Sequence, residues 1–99
     1  MDRTLRILNL EDAEDDSWLL QRHLHRAGYR IALRREQTMA DFEKALRETN
    51  WDVILADYFL PGFTALDALH IARHCNTDVP FIVVSGAVGE QAAVDVLRE

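Results

Sequence analysis

Two short apolar runs in this 99-residue chain stop abruptly at acid. The first, residues 5–10, runs into Glu11 and Asp12, and the second, Val53 to Ala56, runs into Asp57. Brought into one crevice, these three carboxylates repel, raise one another's pKa and destabilise the fold unless a proton or a cation intervenes. A divalent ion resolves the repulsion. An all-oxygen donor set suits magnesium, which keeps several waters and binds readily beside a phosphate, while a single cysteine, Cys75, offers no thiolate cluster for zinc. Singly, each residue has an ordinary reading. An acidic pair ahead of a helix complements the helix dipole, and a serine after a strand, such as Ser85, is usually a turn or cap residue. The joint position at successive strand ends carries the signal.

Those ends depend on the elements between them. Residues 5–10 read as a buried strand with an acidic end. From about Asp15 to Ala27, Leu20, Leu24 and Ala27 recur at helical spacing, with Gly28 as C-cap and acid in the first turn. Tyr29 to Arg35 alternates apolar and polar residues and predicts an edge strand wet on one side. Thr38 with Asp41 reads as a capping box with Asp in place of Glu, opening a helix that carries Met39, Phe42, Ala45 and Leu46 and ends near Glu48. Val53 to Ala56 reads as a central parallel strand, and Pro61 with Gly62 forces a loop. Leu66, Leu69 and Ala72 mark a third helix, Phe81 to Val84 a fourth strand, and Ala92, Ala93, Val96 and Leu97 a fourth helix.

A βαβαβαβα order implies a parallel sheet with helices on both faces, because crossovers between parallel strands are right-handed. The expected class is therefore α/β, a flavodoxin-like doubly wound sheet. In that strand order the active crevice lies between the first and third strands, the two that end in acid.

The Glu11-Asp12 pair, the segment Asp57-Tyr58-Phe59-Leu60-Pro61-Gly62 and Ser85-Gly86-Ala87 together resemble a response-regulator receiver domain of two-component signalling, over essentially the whole chain. The resemblance implies that Asp57 accepts a phosphoryl group from the phosphohistidine of a histidine kinase or histidine phosphotransfer domain. It implies that Asp12, Asp57 and the backbone carbonyl of Phe59 ligate Mg2+, that Glu11 contacts the ion through water, and that Ser85 is the switch hydroxyl. Residues 1–99 are then one receiver domain, a signalling switch and not an enzyme, with a hybrid histidine kinase as one possible parent.

Receivers of this kind also carry a lysine at the end of a fifth strand and an aromatic residue within it. Here the one lysine is Lys44, in the second helix, so the fifth strand and fifth helix are expected to be missing from these residues. That would leave strand four as an apolar edge open to self-association. Two other readings remain: a degenerate receiver that binds a partner without phosphate, and a magnesium-dependent phosphatase with an aspartyl nucleophile.

Eleven basic against seventeen acidic residues give a net charge of −6, which repels nucleic-acid backbones. No signal-peptide stretch opens the chain, no apolar run approaches the roughly 20 residues that span a bilayer, and one cysteine makes no internal disulfide. The cytoplasm is the expected compartment. The helical pair His70 and His74, with Asp67 nearby, reads as a solvated face. Arg30, Arg34 and Arg35 read as edge protection of strand two, and Trp18 and Trp51 as packing at the rim of the core.

Overall fold

The computed structural model describes residues 3–75 and 78–84. Strand β1 (Thr4–Leu10) leads to helix α1 (Glu14–Arg26), then β2 (Arg30–Glu36), α2 (Met39–Glu48) and β3 (Val53–Asp57). A small hairpin, β4 (Phe59–Leu60) with β5 (Phe63–Thr64), precedes α3 (Ala65–His74) and β6 (Phe81–Val84). β1, β2, β3 and β6 form one parallel sheet in the order β2-β1-β3-β6. The expected doubly wound α/β architecture is therefore present, with the sequence's fourth strand appearing as β6. The expected fourth helix lies outside the described residues.

Alternation along the strands divides the core in two. Leu8, Leu10, Ile54 and Ala56 face α2 and α3, where Phe42, Ala45, Ala65, Ala68 and Ala72 complete one cluster. Ile7, Val53 and Leu55 face the other way onto Leu20 and Leu24 of α1, with Val84. β1 and β3 are buried on both sides, which is why their apolar runs are nearly continuous. β2 is an edge strand with no fully buried residue, as its alternating pattern predicts.

Helix starts follow local chemistry. Thr38 Oγ1 accepts the Asp41 backbone N–H at 3.1 Å, so α2 has the predicted Thr38 cap but not the reciprocal Asp41 half of the predicted box. A second cap, which the sequence analysis did not single out, opens α3: the Asp67 carboxylate accepts the Thr64 backbone N–H at 2.9 Å. This occupies Asp67 as a capping group. α1 begins at Glu14 without a side-chain cap, and Glu14, Asp15 and Asp16 crowd its first turn. Gly62, at φ +87°, lets the chain reverse between β4 and β5, so the expected loop is a two-residue hairpin connection.

Trp51 packs against the first cluster and donates its indole N–H to Ala45 O at 2.9 Å. Trp18 does not join a core. It is 55% exposed, with the Arg22 guanidinium 5.3 Å from its ring centroid, because its position on α1 points away from the sheet.

Candidate metal and phosphoacceptor site

In the sheet register Leu10 lies opposite Ala56, so Glu11 and Asp57 leave their strands at the same level. Asp12 follows in the turn into α1. Glu11, Asp12 and Asp57 each offer a carboxylate oxygen, and these lie within 4.8 Å of one another. The three residues predicted to gather at the switch of strand order do so. Of the remaining predicted site groups, Phe59 lies in β4, the first hairpin strand after Asp57, and Ser85 lies outside the described residues.

Glu11 is the best held of the three. Its backbone N–H donates to Glu36 O at 3.0 Å, its carbonyl accepts Arg35 Nη1 at 3.1 Å, and its carboxylate accepts the Ala13 N–H at 3.0 Å. Burial pushes its carboxyl up to about 7, and the negative charges of Asp57, Asp16 and Asp12 add to the rise against the Ala13 hydrogen bond. Asp57, partly exposed, is raised for the same reasons: desolvation first, then Asp12 and Asp16, opposed by the Tyr58 backbone N–H. Asp12 is exposed and faces solvent. The cluster thus has one buried carboxyl, Glu11, one partly exposed carboxyl at the end of a central strand, Asp57, and one solvent-facing carboxyl, Asp12. Such an all-oxygen set fits a hard divalent cation.

Beneath the carboxylates runs a buried polar connection that the sequence analysis passed over, since Asn9 sat within an apolar run. Asn9 is 1% exposed; its Nδ2 donates to Leu55 O at 2.9 Å, and its Oδ1 accepts from Ser17 Oγ at 2.6 Å. Side chain and carbonyl thereby link β1, β3 and α1, the elements around the acidic cluster. The available signal was Asn9 itself, an amide where an aliphatic residue would serve packing alone. A buried amide must find partners.

The three basic residues of β2 do not act alike. Arg34 joins Glu36 at 2.5 Å and Glu48 at 2.6 Å, tying the edge strand to α2 as an exposed ionic bridge. Arg35 instead reaches the candidate site through the Glu11 carbonyl. Its reading as simple edge protection is therefore incomplete. Among the described residues, Glu11, Asp12 and Asp57 form the one cluster of three or more His, Cys, Asp or Glu groups arranged to hold a metal ion, and the His70 and His74 pair is in none.

No family model matches the chain. Sensory/regulatory protein RpfC from two strains of Xanthomonas campestris pv. campestris is 28% identical over 95 residues, covering 91% of this chain and 13% of RpfC. The chain therefore spans only a small part of these relatives. Among solved structures, the MaeR response regulator bound to beryllium trifluoride superposes with a TM-score of 0.72 at 23% identity, covering 94% of this chain and 76% of the other. A transiently phosphorylated switch of bacterial signal transduction gives 0.64 at 25% identity, covering 96% and 74%. The fold is that of CheY-like response-regulator receiver domains.

Proposed function

We propose that this chain, a receiver domain of the response-regulator type, is a phosphorylation switch in which Asp57 accepts a phosphoryl group from the phosphohistidine of a histidine kinase or phosphotransfer domain. The observation that carries this reading is the meeting of Glu11, Asp12 and Asp57 at the carboxyl ends of β1 and β3. An Asp57 carboxylate oxygen attacks phosphorus, the P–N bond to the imidazole breaks, and the imidazole leaves with a proton. Asp57 is suited to this because its strand is fixed on both faces while its carboxylate emerges at the rim. Glu11, Asp12, Asp57 and the Phe59 backbone carbonyl are the groups we assign to Mg2+. When bound, the ion supplies charge neutralisation for the carboxylates and the transferring oxygens. We assign Ser85 as the switch hydroxyl on the resemblance alone.

The same reading makes the chain a protein-interaction module and not an enzyme in its own right, working in the cytoplasm. We also infer that copies associate through β6, the outer strand of the sheet among the described residues, where Val83 is 47% exposed. The degenerate-receiver reading predicts a folded chain that takes no phosphate. A phosphatase would instead turn over an external phosphoester.

The test is intact-protein mass spectrometry after incubation with a small-molecule phosphodonor, with and without Mg2+, on the parent chain and Asp57→Asn. A magnesium-dependent gain of one phosphoryl group, lost in the variant, is expected. No gain in a protein that binds Mg2+ would refute the phosphoacceptor role for this chain, and multiple turnover of a generic phosphoester would favour the phosphatase.

A further inference from the structure

β1 ends at Leu10, and its ladder to β3 ends with the Leu10–Ala56 pair. The peptide that joins Glu11 to Asp12 therefore lies just beyond that ladder, where a sheet no longer orients it. β2 reaches over to hold it. The Glu11 N–H, on the preceding peptide, donates to Glu36 O, and the carbonyl of the Glu11–Asp12 peptide itself accepts Arg35 Nη1 at 3.1 Å. Arg34, one residue earlier, is engaged by Glu36 and Glu48, whereas no carboxylate among the described residues pairs with Arg35. The part-buried guanidinium meets a backbone carbonyl at the edge of a three-carboxylate cluster.

We propose that Arg35 is a positioning residue for the cation site: it fixes the peptide between two candidate ligands, so that the Glu11 and Asp12 carboxylates are gathered beside Asp57 before a cation arrives. This rests on the reading of those carboxylates as a magnesium site. A donor that orients a ligand's backbone lowers the reorganisation needed for binding, as partners one layer out from a metal generally do. Its charge acts in the opposite sense, since a cation near Mg2+ repels it. The sign of the effect on affinity separates the two roles. Positioning makes Arg35 favourable to Mg2+, and charge alone makes it unfavourable.

The experiment is calorimetric titration with Mg2+ alone on the parent chain, Arg35→Met, Arg35→Lys and, as a site control, Asp12→Asn, with urea unfolding and amide NMR on each. Arg35→Met should bind Mg2+ about tenfold more weakly, with its unfolding midpoint close to the parent's and the Asp12 amide resonance shifted before Mg2+ is added. Arg35→Lys, which keeps a charged donor, should recover most of the loss. Equal or tighter binding by Arg35→Met overturns the positioning role while Asp12→Asn still weakens binding. If the folded parent binds no Mg2+, the site reading itself fails and the Arg35 role goes with it.

Discussion

Glutamine at position 11 should largely uncouple magnesium binding from pH. Glu11 is 6% exposed, and burial with three nearby carboxylates holds its carboxyl up to about 7. Near neutral pH much of the metal-free protein is protonated there, and Mg2+ must displace that proton. For a single group at about 7, the ionised fraction falls from roughly 0.9 at pH 8 to roughly 0.1 at pH 6, so affinity should fall about tenfold. Glu11→Gln has no such proton to release: it should bind more weakly at pH 8 but lose much less between pH 8 and pH 6. The same shift has a stability consequence. Because the folded carboxyl binds its proton more tightly than the unfolded one, the contribution of Glu11 to metal-free stability is full below about 4.5 and is lost as pH rises through about 7. With the discount for solvent reaching the site, the loss should be about 2 kcal/mol, and saturating Mg2+ should reverse the trend. Calorimetric Mg2+ titrations at pH 6, 7 and 8 in two buffers of different protonation enthalpy measure affinity and proton release together. A parent affinity that is flat across this range with no proton released, or the full tenfold drop retained in Glu11→Gln, would refute the assignment.

Replacing Asn9 with Ala removes the buried amide that accepts from Ser17 Oγ and donates to Leu55 O. The cost should be about 2 kcal/mol in urea unfolding, and a variant as stable as the parent would show that the link contributes nothing to stability. Val83→Lys places a charge on the exposed apolar face of β6. Sedimentation should show concentration-dependent association of the parent that the variant abolishes, whereas a parent that stays monomeric would sink self-association through this strand.

The order and type of the four sheet strands and of α1, α2 and α3 were legible in the chain because burial writes itself into periodicity, whereas the short β4–β5 hairpin was read as a loop. β1 and β3, covered on both faces, appear as near-continuous apolar runs; β2, wet on one side, alternates; and α1 and α2 show stripes that match their buried faces. The acidic ends of β1 and β3 were legible too, since the strand order sends both to one crevice. What the pattern could not show were contacts between residues far apart in the chain whose partner is a backbone carbonyl. Arg35 and Glu11 are 24 positions apart, and Asn9 and Leu55 46. A carbonyl belongs to every residue and leaves no mark in side-chain type. The exposure of Trp18 was hidden for a related reason, because hydrophobicity says that a ring can be buried but only the packing of α1 on the sheet decides which way it points. Residue types and their period thus determined which groups arrive at the sheet edge. Tertiary structure decided how they are held there, since the backbone partners that hold Glu11 and Asn9 come together only when the strands pair.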